Sequence, residues 1–238
     1  MKLASVTITP RFRGPPDSGN GGYVAGLLAG FASGDAVDVR LRLPLPLAVA
    51  LDVVAAADSA VELHDGKELL ATAVPCEFEL DIPAPPTFAE ASAAALGYPG
   101  TRQHVFPGCF VCGPARTAGD GLRVFTGLVH DGEQRTVAGT WCPDASLAGT
   151  RARVRPEFMW AALDCPGYFA VMPEDRTMLL GRILCGVERS IEVGEPCVVL
   201  AWRVDGAGRK QRAGTALFGA DGRCVARALA TWIEPRLA

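Results

Sequence analysis

The chain has 238 residues, 49% of them apolar, with a formal net charge of −3 and an isoelectric point near 5.7. Such a chain can bury a sizeable core in one large or two small domains. Its scattered Lys and Arg residues form no stripe to match a phosphate backbone, which excludes nucleic acid as an expected partner. No run reaches the roughly eighteen apolar residues of a membrane helix, and the opening MKLASVTITPRFRG lacks the apolar core of a signal peptide, so a cytoplasmic protein without membrane contact is predicted. The eight cysteines mostly stand singly in apolar segments and read as reduced core thiols.

In chain order, Val6 to Phe12 reads as a short strand, and Asp17-Ser18-Gly19-Asn20 supplies cap residues for a helix running to about Ser33-Gly34. The small residues Gly21, Gly22, Ala25, Gly26, Ala29 and Gly30 weaken that helix, which predicts the close approach of another backbone or a ligand. Strands are predicted at 37–43 and 48–57, then at 59–64 and 68–74 across an Asp65-Gly66 hairpin turn, and at 76–82.

The Pro- and Ala-rich stretch PAPPTFAEASAAALGYPG carries a short helix over 88–96 and marks a boundary. Beyond it come strands at 122–129 and 136–141, a helix from Arg155 to Met172, and strands at 179–191, 197–204, 211–218 and 224–233. Both halves repeat one plan, a helix followed by long antiparallel strands. The fold class is therefore α+β: a first unit over 1–82, a linker over 83–103 and a second unit over 104–238.

Within the 155–172 helix, Asp164 is the one acid beyond the first turn, between Leu163 and Cys165. A carboxylate in such surroundings needs hydrogen bonds, a raised pKa or a chemical role. Cys109-x-x-Cys112, with His104 five residues before Cys109, offers half of a zinc site or a redox pair. No second cysteine pair has ligand spacing, although Cys142 or Cys165 could approach in the fold. A structural turn at Cys112-Gly113-Pro114 is the reading adopted, with neither metal nor cofactor assigned. His64 and His130 flank hairpin turns and read as surface residues.

Four segments carry a resemblance: Asn20-Gly21-Gly22-Tyr23-Val24-Ala25, Cys109 through Arg123, Ala161 through Gly167, and Gly222 through Arg227. Together they resemble the hotdog-fold superfamily of acyl-CoA thioesterases, in a double-hotdog arrangement packed as a pseudo-dimer. In that family a His-Gly-Gly at the helix start precedes an Asp or Glu by nine residues, and the helix start of one protomer faces the acid of the other. Here Arg155 plus nine is Asp164 and Asn20 plus nine is Ala29, so one half keeps the acid and the other the glycines.

The resemblance thus implies one composite site. Asp164 and Asn20 are its catalytic residues, and Gly21, Gly22 and Tyr23 bind the substrate and its oxyanion. The pairing of Ala29 with Arg155-Pro156-Glu157 is expected to be inactive. Asn20 stands where the family has His; it can position a group but cannot shuttle a proton near neutral pH.

Arg155, with Arg151 and Arg153, offers a contact for the phosphates of coenzyme A, against the blander reading of a solvated basic loop. The substrate expected is an acyl-CoA or another thioester. The alternative is a non-catalytic protein that binds acyl or aromatic ligands, and a hydratase ranks last because no His falls in either helix. Homo-oligomers of the pseudo-dimer are compatible with the sequence.

Overall fold

Alternating apolar residues punctuated by turn residues give eleven strands and four α-helices over the described residues, 1–172 and 177–235, of the computed structural model. The final residues of the 104–238 half lie outside them. The strands are β1 (Lys2–Thr7), β2 (Ala36–Leu41), β3 (Ala50–Ala55), β4 (Val61–Asp65), β5 (Glu68–Cys76), β6 (Gly127–His130), β7 (Thr136–Trp141), β8 (Leu179–Val187), β9 (Cys197–Ala207), β10 (Lys210–Phe218) and β11 (Cys224–Ile233). The helices are α1 (Gly21–Ala29), α2 (Phe88–Ala95), α3 (Pro156–Ala162) and α4 (Cys165–Val171). No helix among the described residues is long and apolar enough to cross a membrane.

All eleven strands join one sheet, in the order β1-β3-β4-β5-β2-β8-β11-β10-β9-β7-β6. Outward from the β2/β8 seam the sequence is β2-β5-β4-β3-β1 on one side and β8-β11-β10-β9-β7 on the other, so the same winding occurs twice. The seam pairs Ala36 with Gly186 through to Arg40 with Arg182. Across it, Arg182 donates to both carboxylate oxygens of the buried Asp38 at 2.7 Å, a bidentate geometry that fixes register as well as charge.

Several predicted boundaries shift. The first strand ends at Thr7, because Pro10 has no N–H to continue a ladder, and Pro10–Phe12 forms a 3-10 turn. The strand of 68–74 extends to Cys76, and no strand covers 77–82. The strand expected over 122–129 shrinks to β6. The Leu122 and Val124 N–H groups instead donate to the Phe110 and Val111 carbonyls at 2.8 and 2.9 Å, away from the sheet. Strand β8 stops at Val187, short of Ile191.

The stretch expected to link the halves packs on the second one. Leu80, Ile82 and Ala91 of α2 join Ala138, Val198, Leu200 and Trp202 on the outer face of the sheet. The central helices occupy the other face with the main core.

The helix predicted over 155–172 is broken. Pro166 cannot donate to the Ala162 carbonyl, so α3 ends at Ala162 and α4 restarts at Cys165, with Asp164 at φ −78°, ψ −83° between them. The Gly167 N–H bonds the Asp164 carbonyl at 3.0 Å rather than that of Leu163, which instead accepts from Thr215 Oγ1 at 2.9 Å. A strand hydroxyl thereby satisfies the carbonyl that the break releases.

Helices α1 and α3 cross in close contact. A Cβ added at Gly22 would lie 2.5 Å from Asp164 Cβ and 2.9 Å from the Trp160 carbonyl oxygen; one added at Gly26 would lie 2.6 Å from Glu157 Cα. The two glycines are one helical turn apart and meet residues seven apart in the opposite sense, so the helices run antiparallel. The backbone approach predicted from the small residues is that of α3.

The path into α3 is pinned from the β8–β9 connection. Val154 N–H donates to the Ile191 carbonyl at 2.9 Å, and Arg153 pairs with Glu192 at 3.2 Å. Glu195 anchors this connection. It is held by Arg189 at 2.9 Å, the Glu192 N–H at 3.0 Å and the Ala220 N–H at 3.1 Å, and these partners, Arg189 foremost, bring its pKa down to about 2.

Two predictions follow from this packing. Gly26→Ala should destabilise the protein by about 1–3 kcal/mol in urea unfolding, because the rigid backbone of Glu157 blocks the new methyl group. For Glu195 the folded pKa lies below the unfolded value of about 4.3, so its stabilisation is complete above that pH and fades as pH falls toward about 2. The Tm deficit of Glu195→Gln should accordingly be full at neutral pH and shrink across that acid window.

Candidate functional site

The break at Pro166 turns the Asp164 side chain toward the start of α1. Oδ2 accepts from Asn20 Nδ2 at 2.8 Å and from the Gly22 N–H at 2.9 Å. Oδ1 has no hydrogen-bond partner among the described residues, and Asp164 is only 2% exposed. Burial raises its pKa to about 7; the Gly22 N–H opposes that shift, the nearby Cys109 reinforces it, and the Asn20 amide opposes it. Residues 20, 22 and 164, separated by more than half the chain, therefore form one hydrogen-bonded group.

Asn20 uses both ends of its amide. Its Oδ1 caps α1 by accepting from the Tyr23 N–H at 2.9 Å while its Nδ2 holds Asp164. Both readings of the Asn20-Gly21-Gly22 segment are thus present in the geometry, the ordinary cap and the contact with the acid.

The predicted oxyanion donors are not equivalent. The Gly22 amide is engaged by Asp164 and the Tyr23 amide by Asn20. The Tyr23 ring lies in the core, stacked on Phe12 at 4.2 Å and on Phe158 at 5.7 Å, and burial followed by the charge of Glu157 pushes its phenol up to about 12. The Tyr23 ring therefore packs in the core, and its amide is not a free donor. Among the described residues no acceptor engages the Gly21 amide, which opens α1, where the helix dipole is positive. Gly21 is half-buried between the side-chain ends of Leu41 and Leu180.

Arg155 stands at the opposite end of the crossing, on the order of 13–14 Å from Asp164 at the helical rise. Its guanidinium is 3.2 Å from Glu157 and lies over the Phe158 ring at 4.7 Å. Arg153 is bound to the Ser190 carbonyl and Glu192. Nearby, Gly26 meets Glu157, and α1 contains no acid.

Beside the acid lies a cluster that pair spacing in the sequence did not complete. The sulfurs of Cys109, Cys112 and Cys165 lie within 4.8 Å of one another, all buried, with Cys109 and Cys165 at 3.7 Å. Asn20 Nδ2 is 4.0 Å from Cys109 Sγ and 3.9 Å from Cys165 Sγ. His104 Nε2 is 3.3 Å from Cys112 Sγ, and its Nδ1 accepts the Phe106 N–H at 2.9 Å. The signal available in the sequence was adjacency: Cys165 follows Asp164 directly, so any fold that brings the acid to Asn20 carries a thiol with it.

A separate groove of about 560 Å³ is lined by Ala118, Leu122, Arg123, Trp141, Cys142 and Leu147 among others, and by none of Asn20, Gly21, Gly22 or Asp164.

No protein-family model matches this sequence, and no curated protein is similar to it. Solved structures do resemble it. The tesB protein of Mycobacterium avium subs paratuberculosis superposes with a TM-score of 0.64 at 14% identity, over 98% of this chain and 92% of its own. A hot dog fold protein of unknown function from Alicyclobacillus acidocaldarius gives 0.62 at 10% identity, over 100% and 97%. A protein provisionally assigned as a thioesterase II from Thermobifida fusca gives 0.60 at 13%, over 98% and 92%. At these identities the similarity speaks to architecture, and it covers nearly the whole length: the chain has the hot dog fold.

Proposed function

We propose that this chain hydrolyses a thioester, with an acyl-CoA as the substrate class, at one composite site where the start of α1 meets Asp164. The carrying observation is a buried carboxylate with one oxygen fixed by Asn20 and Gly22 and the other unengaged, beside the unengaged amide of Gly21. The thioesterase names attached to structures of similar fold support the same reading. The doubled winding about the β2/β8 seam supports reading 1–82 and 104–238 as tandem hot dog units joined by 83–103.

In this reading the thioester carbonyl rests on the Gly21 N–H, where the helix terminus stabilises negative charge as it develops. Asp164 Oδ1 takes a proton from water as the water oxygen bonds to the carbonyl carbon. The C–S bond then breaks, the leaving thiolate takes the proton held by Asp164, which returns to its carboxylate, and the products are a carboxylic acid and a free thiol. Asn20 holds Asp164 in place and transfers no proton. Arg155 contacts the CoA phosphates by exchanging Glu157 for them. In the opposite pairing Ala29 stands where the pattern has its acid and Arg155-Pro156-Glu157 where it has its glycines, so that pairing stays inactive.

A second reading, ligand binding without turnover, is favoured by one observation: Asp164 is 2% exposed and the groove described above does not touch it.

Chromatographic measurement of CoA release across a panel of acyl-CoAs separates the two. Turnover by the wild-type chain should fall by about 10²–10⁴-fold in Asp164→Asn; an unchanged rate in that variant would remove the acid from the mechanism. Saturable binding without turnover of any thioester would establish the second reading. In Gly21→Ala the new Cβ would lie 2.9 Å from Leu180 Cδ2 and Leu41 Cδ1, the ends of flexible side chains, so the fold should persist. Hydrolysis should nonetheless fall about tenfold or more as the methyl group obstructs the carbonyl.

A further inference from the structure

We infer that Cys109, Cys112 and Cys165 form a binding site for a thiophilic divalent metal ion, with Zn(II) as its physiological class of occupant. The inference does not depend on the hydrolysis reading.

The three sulfurs converge from two parts of the chain into one buried space. Around a tetrahedral Zn(II) with Zn–S bonds of about 2.3 Å, neighbouring sulfurs sit about 3.8 Å apart. Cys109 and Cys165 are 3.7 Å apart in the protein as folded. The other buried cysteines, Cys185 and Cys197, belong to no such group among the described residues. Packing alone needs no convergence of thiols, since a buried Cys behaves as a small apolar side chain.

Hydrogen-bond donors surround the sulfurs as thiolate ligands require. Cys109 and Cys112 are joined by a tight turn in which the Gly113 N–H donates to the Cys109 carbonyl at 3.0 Å. The bend that follows depends on Gly113, where an added Cβ would lie 2.4 Å from the Pro107 oxygen and 2.5 Å from the Cys109 oxygen. Asn20 Nδ2 approaches two of the sulfurs at 3.9 and 4.0 Å. His104 serves the third. Its Nδ1 accepts the Phe106 N–H, so the ring proton sits on Nε2 and points at Cys112 Sγ 3.3 Å away. That tautomer makes His104 a donor outside the coordination shell and leaves three sulfur ligands. With the cation they carry a net charge of about −1, faced by the donors of Asn20 and His104.

Binding takes three S–H groups to thiolates, so it releases three protons and involves no change of oxidation state. The full chain, purified under reducing conditions and stripped with a chelator, should show a near-ultraviolet thiolate-to-metal charge-transfer band on titration with Co(II). The band should saturate at one ion per chain and disappear as Zn(II) displaces the cobalt. It should be lost in Cys165→Ser and retained in Cys224→Ser, whose sulfur lies outside the cluster. Excess chelator should lower the Tm of the Zn-loaded wild type by roughly 5 °C or more, reversed by added Zn(II). Absence of the band in the wild type, or an equal band in Cys165→Ser, would overturn the assignment. The wild-type titration is decisive even if Cys165→Ser fails to fold.

Discussion

An ionisable group carried out of water is the constraint around which the two central helices are built. Asp164 is buried where an unpaired charge would be expensive, and its cost is offset by only two donors, the Asn20 amide and the Gly22 N–H. Those donors reach it only because Gly22 has no side chain and Gly26, one turn along, lets the α3 backbone come close. The break before Pro166 turns the acid toward α1, and Thr215 satisfies the carbonyl that the break releases. Removing any one of these contacts would leave a buried polar group without a partner.

Much of this was legible in the sequence, and the reasons are physical. Asn20 followed by two glycines is a cap with room for a neighbour, and an acid in an apolar stretch demands donors. What joined these two local facts into one site was the resemblance, whose nine-residue spacing runs from Arg155 to Asp164 and from Asn20 to Ala29. The Asp65-Gly66 turn likewise specified its hairpin, with Gly66 at φ +57°. What was not legible was set by contacts distant in sequence. Pro166 was visible, but whether it would kink or break its helix depended on Thr215 from β10 accepting the role of partner. Residues 122–126 have strand-like composition, yet the Leu122 and Val124 N–H groups are claimed by the Phe110 and Val111 carbonyls. The third thiol was legible only as one of two that could approach, Cys142 or Cys165, because ligand spacing detects pairs close in sequence and Cys165 arrives from a different helix.

Asn20 is the point where these separate features meet. One amide oxygen ends a helix, and the matching nitrogen touches a carboxylate and lies near two sulfurs. A histidine at this position could not cap, hold the acid and approach the sulfurs with the same planar amide. The departure from the family pattern at residue 20 is thus coupled in space to the cysteines, although nothing in their spacing announces it. Charge at the sulfurs also reaches Asp164 directly through space, as in the upward push that Cys109 exerts on the acid.

The seam between β2 and β8 also bears on how the molecule behaves in a crowded solution. Two separate sheets would present four unpaired edges, each a template for strands of other molecules. Joined at the seam, the eleven strands leave two, β1 and β6. The first carries Lys2 paired with Asp52 at 2.8 Å, and the second is only four residues long with its register interrupted between Leu128 and His130. A charged edge and a short, irregular one are both poor partners for edge-to-edge growth. The internal pairing that brings the central helices together thereby also limits self-association through the sheet.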